Sequence, residues 1–77
     1  MGTHLHSRPC LERMALIRQH LVARQPFTAN TLAARLEVGT KTIHLDIEFL
    51  RDRLGYEITW DYTRKAYVGR PPSTPVL

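Results

Sequence analysis

Apolar side chains fall at helical spacing in three successive stretches, and then the period changes to two. From about Pro9 to Ala23, Met14, Ile17 and Leu21 recur on one face, with Leu11 and Leu16 beside them and Arg13, Arg18 and Gln19 at polar positions. This spacing predicts an amphipathic helix. Pro9 suits its first turn, where a missing amide hydrogen costs nothing, and Pro26 lies beyond its far end. A second helix is expected from Phe27 and Thr28 to about Leu36. Thr28 serves as its cap, Phe27 staples against Leu32, and Leu32, Ala33 and Leu36 form its apolar stripe. Alanines at 33 and 34 let a neighbouring helix approach closely.

The connection Glu37-Val38-Gly39-Thr40 is short enough to join two tightly packed helices, with Gly39 expected to take backbone angles that other residues resist and Val38 to plug the core. A third helix is predicted from about Thr40 to Leu54, with Gly55 as its C-terminal cap. Ile43, Ile47, Leu50 and Leu54 make its buried seam, while Lys41, Thr42, His44, Leu45 and Glu48 occupy the opposite face. Asp46 is expected to pair with Arg51 or Arg53. From Glu57 to Tyr62 the alternation of Ile58, Trp60 and Tyr62 with Glu57, Thr59 and Asp61 predicts a strand. A turn over Thr63, Arg64 and Lys65 leads to a second strand at about Ala66 to Val68. A lone hairpin is marginal in water, so Ile58, Trp60 and Tyr67 are expected to lean on the helices; Tyr62 is left open.

Three helices followed by a hairpin give a mainly α fold with a small β-hairpin, the winged helix-turn-helix: a three-helix bundle plus a two-stranded wing. The chain of 77 residues holds one small domain. The expected division is a flexible N-terminus over 1–8, the domain over 9–68, and a Pro-rich linker or tail over 69–77. Eleven basic against seven acidic residues give a net charge of +4, which suits a polyanionic partner. A single cysteine, Cys10, forbids an internal disulfide and points to a reducing compartment, the cytoplasm. The opening residues lack the apolar core of a signal peptide, and no later run is long enough to span a bilayer, so no membrane partner is expected.

The run from Leu32 to Ile47, Leu-Ala-Ala-Arg-Leu-Glu-Val-Gly-Thr-Lys-Thr-Ile-His-Leu-Asp-Ile, followed by Phe49-Leu50-Arg51, resembles the N-terminal DNA-binding domain of DeoR-like and WYL-domain bacterial transcriptional regulators. The resemblance covers roughly Pro9 to Val68. It implies a repressor or activator, often homodimeric, whose larger C-terminal domain senses an effector. The Pro-rich tail lies where such proteins lead toward that sensor, so the chain is expected to be a fragment of a longer regulator, with an effector ligand only if a sensor domain exists. Two positions depart from the family. Gly39 stands where serine often caps the recognition helix, and Leu45 stands where arginine is usual.

On this fold the third helix enters the major groove of double-stranded DNA. Thr40 and Lys41 at its start are expected to meet phosphate, Thr42 and His44 to meet base edges, and Leu45 to touch a thymine methyl. Arg64 and Lys65 at the wing tip are expected to grip phosphate or reach the minor groove, and Thr28 and Asn30 to touch the backbone. Charge is unevenly placed. Residues 1–26 carry Arg8, Arg13, Arg18 and Arg24 against Glu12, whereas residues 27–55 balance four cations with four anions. Affinity is therefore expected to lean on the first helix and the wing, with a dimer needed for tight binding.

The neutral reading face and Leu45 carry an alternative, a protein–protein interaction module with weak or no DNA binding. No catalytic constellation is apparent, so no enzymatic activity is expected. His4, His6, His20 and His44 lack the pairing of a zinc site, and no metal or other cofactor is expected.

Overall fold

Each of the three helices ends where one residue turns left-handed. The structure, a computed structural model, describes residues 10–73. Its elements are α1 (Cys10–Val22), α2 (Ala29–Leu36), α3 (Thr40–Arg53), β1 (Glu57–Asp61) and β2 (Ala66–Arg70). The first-turn role assigned to Pro9, the flexible 1–8 segment with His4 and His6, and the last four residues of the tail lie outside the described residues.

α1 stops because Arg24 takes φ 58°, which lets Arg24 N–H donate to the Leu21 carbonyl and Gln25 N–H to the His20 carbonyl. α2 stops in the same way at Glu37 (φ 59°), with Glu37 N–H donating to Ala34 and Val38 N–H to Ala33. Such paired bonds satisfy carbonyls that the helix end leaves open. The expectation for the connecting turn is thus corrected: Gly39 sits at φ −80°, ψ 158°, an extended conformation open to any residue, and the left-handed burden falls on Glu37. The reason is geometric, since the chain must reverse directly after Leu36 and the third residue of the turn comes too late. Val38 is half-buried against the core. Gly55 (φ 74°) closes α3 as the sequence suggests.

At the start of α2, Thr28 Oγ1 accepts from Thr31 N–H at 3.1 Å while Thr28 N–H donates to Thr31 Oγ1 at 3.3 Å, a reciprocal capping box. Phe27 and Leu32 are both buried in the core.

The core collects one stripe from each helix: Met14, Ile17 and Leu21; Ala29, Leu32, Ala33 and Leu36; and Ile43, Ile47 and Leu50. Ile58 of β1 and Tyr56 close its end. Burying each large aliphatic side chain contributes about 2 kcal/mol. Tyr56 is a core residue that the alternating pattern, counted from Glu57, left out.

Asp46 is 4% exposed, the one buried charged residue among those described. Its partner is Arg13, 33 positions earlier, and not Arg51 or Arg53: Arg13 Nε lies 2.6 Å from Oδ2, and its Nη2 lies 3.1 Å from Oδ1. Arg51 and Arg53 are exposed on the last turn of α3, whereas Asp46 faces inward toward α1. A helix at neutral pH cannot turn a carboxylate into its core without such a cation.

β1 and β2 pair antiparallel with Trp60 opposite Tyr67 and Glu57 opposite Arg70. β2 extends two residues beyond the expected Val68. Phe27 forms an extra bridge to Tyr67: Tyr67 N–H donates to the Phe27 carbonyl at 2.7 Å and Phe27 N–H to the Tyr67 carbonyl at 3.2 Å. The segment before α2 thus acts as a third edge that fixes the wing to the bundle. Trp60 departs from its expected place in the core. It is 38% exposed, lining the cleft with Tyr67 and His44 while Ile58, Ala66 and Tyr67 take the covered positions of the hairpin. Tyr62, in the turn, is exposed.

Candidate nucleic acid interface

α3 is oriented by Ile43, Ile47, Leu50 and Asp46, which all point inward, so the opposite side must face out. Lys41, His44, Leu45 and Glu48 follow i, i+3, i+4, i+7 spacing and are all exposed. Thr40 is exposed and Thr42 half-buried. Gly39 supplies no side-chain cap, so the opening turn of α3 keeps amide donors directed along the helix axis.

Of the nine residues singled out from the sequence, Thr40, Lys41 and Thr42 form the first turn of α3 and the other six divide among three surfaces. Thr28, Asn30 and His44 come together around a cleft of about 160 Å³ between the start of α2, the face of α3 and the wing, whose remaining wall is Trp60, Tyr67 and Ala29. Thr28 is committed to its capping box there. His44 contacts the wing, with Nδ1 3.4 Å from the Tyr67 hydroxyl and the two rings edge-on at 6.3 Å. Trp60 in turn stands edge-on against Tyr67 at 5.0 Å.

Leu45 lies apart from this cleft. It is 54% exposed, and one turn later Phe49 is 42% exposed, the two sharing a groove with Glu48, Asp52 and Arg53. Phe49 is a surface residue that the sequence pattern did not single out.

Arg64 and Lys65 occupy the wing turn. Asp61 Oδ1 shapes it by accepting from Thr63 N–H at 2.9 Å and Arg64 N–H at 3.1 Å, and Lys65 completes it in a left-handed conformation (φ 55°). Arg64 lies 3.8 Å from the Asp61 carboxylate and lines a different cleft, with His20, Arg24 and Arg70, on the side of the wing facing the end of α1.

The expected reliance on the first helix for positive charge is reduced. Arg13 is held by Asp46, whose hydrogen bond raises the guanidinium pKa above its ordinary value. Tyr67 packs partly buried against the core, as the sequence suggests, whereas Trp60 stands exposed in the cleft beside His44. The available signal was that a short wing has too little helix beneath it to cover every apolar position. Among the described residues, no group of three His, Cys, Asp or Glu side chains is placed to hold a metal ion, and no helix is long and apolar enough to cross a membrane.

Residues 13–61 match the family model described as HTH domain, more than half of the chain and a span that runs from the first turn of α1 to the end of β1. No curated protein matches, and no solved structure matches.

Proposed function

Because the chain belongs to the helix-turn-helix domain family, we propose that it binds double-stranded DNA in a sequence-specific manner through α3 and the wing, as the reading domain of a bacterial transcriptional regulator. The observation that carries this reading is the exposed stripe Lys41-His44-Leu45 on a helix whose other side is locked into the core, joined to the wing through the contact of His44 with Tyr67. A helix presented in this way fits the major groove, which is about 12 Å wide. Lys41 at the helix start and the two wing cations supply phosphate contacts, while Thr42 and His44 stand where base edges pass. Thr28 and Asn30 approach the adjoining backbone. With so few cations, one copy binds weakly, and a homodimer on two half-sites supplies the affinity that regulation needs. An effector enters the account only through a sensor domain joined to this one.

Fluorescence anisotropy with random and promoter-derived duplexes over a salt series tests the reading. Binding at low salt should weaken with a log–log slope of about −3, from about three phosphate contacts each contributing about −0.9. Absence of binding to every duplex at low salt would overturn it.

A second reading has its own observation. Leu45 and Phe49 form an exposed apolar pair on α3, which fits a protein-interaction surface better than a phosphate-facing one.

A further inference from the structure

The contact between His44 and Tyr67 joins the helix proposed to read DNA to the wing that flanks it. Tyr67 is fixed by three independent restraints: the two backbone hydrogen bonds to Phe27, the ring of Phe27 at 5.6 Å, and the edge of Trp60 at 5.0 Å. Its hydroxyl is therefore held in place, whereas His44 is an exposed side chain on the helix surface. Of the two partners the phenol is the better donor, and an unprotonated imidazole nitrogen is the better acceptor. With the Tyr67 hydroxyl donating to Nδ1, the imidazole proton resides on Nε2, the nitrogen on the far side of the ring.

We propose that Tyr67 is a positioning residue for base recognition: it fixes His44 as a hydrogen-bond donor at Nε2, and so makes this position select acceptor-bearing base edges. This rests on the DNA-binding reading above. In the major groove guanine offers two adjacent acceptors, N7 and O6, whereas cytosine offers a donor, its N4 amino group. A donor-only Nε2 therefore favours guanine and disfavours cytosine at the contacted position. Without the Tyr67 hydroxyl, both neutral tautomers become accessible, and Nε2 serves as donor or acceptor according to the base it meets.

Tyr67→Phe isolates the effect, since it keeps the ring against Trp60 and Phe27 and leaves the backbone bridge untouched. Two measurements on the full chain are needed. In the first, two-bond 1H–15N correlation spectra of the free protein, at about pH 8.5 where imidazoles are ordinarily neutral, should show His44 as a single Nε2–H tautomer in the wild type and as a mixture in Y67F. In the second, selection from a randomised duplex pool should show one position where guanine exceeds cytosine by about tenfold in the wild type. That ratio should fall to about twofold in Y67F, and His44→Ala should lose the same preference. Mixed His44 tautomers in the wild type, or a Y67F selection profile matching the wild type on a chain that binds DNA, would overturn the positioning role alone. A wild-type chain that binds no duplex overturns the base-reading role together with the DNA-binding reading, whatever the tautomer spectra show.

Discussion

Arg13 on α1 grips Asp46 on α3 at two points, with Nε 2.6 Å from one carboxylate oxygen and Nη2 3.1 Å from the other. Asp46 directly follows Leu45 in sequence and lies two residues past His44, so this pair sets how α1 holds the helix proposed to meet DNA. A two-point guanidinium–carboxylate contact fixes direction as well as distance.

Removing Arg13 leaves a buried carboxylate without its cation. Arg13→Met should cost about 3 kcal/mol or more, and Asp46→Leu alone a comparable amount, whereas the double variant should be less destabilised than the sum of the two. Urea denaturation of the four proteins measures this. Additive losses would mean that the pair contributes no coupling. The sign with pH follows from the raised Arg13 pKa. Stability that depends on the charged guanidinium is present below its ordinary value and is lost only as pH rises through the still higher folded value. Arg13 titration should therefore remove no stability up to about pH 10, and the wild-type midpoint should show no alkaline loss from this source.

The turn before α3 is built with a residue that its geometry penalises. Glu37→Gly should stabilise the fold by about 1 kcal/mol, since glycine takes a left-handed φ of 59° without strain. Gly39→Ser should add about 0.5 kcal/mol by capping α3, because a side chain there meets no atom within 4 Å. Thermal melts decide both. A lower melting temperature for either variant contradicts this account of the turn.

Gly69 faces the opposite constraint. A Cβ at this position would fall 1.7 Å from the Glu57 carbonyl oxygen, on a backbone at φ 156°. Gly69→Ala should separate β1 from β2 and cost about 3 kcal/mol or more. The readout is loss of amide-exchange protection across the wing while α1 to α3 stay protected. Full protection in the hairpin would show that the clash is relieved by a small shift.

Leu45 separates DNA reading from protein interaction. Leu45→Arg should raise duplex affinity about tenfold at low salt and steepen the salt slope by about 0.9. Unchanged affinity and slope would place position 45 off the DNA and favour the apolar surface that it shares with Phe49.

Much of this fold was legible because its signals are local. Thr28 before an apolar stripe, Gly55 after one, and the three-and-four spacing of Ile43, Ile47 and Leu50 each act within one or two turns, and the structure carries all of them. What escaped depended on distant parts of the chain. Asp46 has two nearby arginines in sequence, but its position on the inner side of α3 puts Arg13 within reach instead. Alternation correctly pairs Ile58 with Trp60 on one side of the hairpin, yet of the two only Ile58 is buried, and Trp60 shares the cleft with His44 and Tyr67. The candidate interface was read in part for the same reason. Its helix residues follow from helical periodicity, whereas the wing residues that meet them follow from the bridge between Phe27 and Tyr67, which no local pattern announces.

The central claim, that the outer face of α3 and the wing turn meet duplex DNA, is tested most directly by 1H–15N chemical-shift mapping of the labelled chain at low salt. Adding duplex should shift amides across Thr40–Leu45 and at Arg64 and Lys65, with little change at the core residues Ile17 and Leu21, and added salt should reverse the shifts. Shifts confined to Leu45, Phe49 and Arg53 with none in the wing, or no shifts at any duplex concentration, would contradict it.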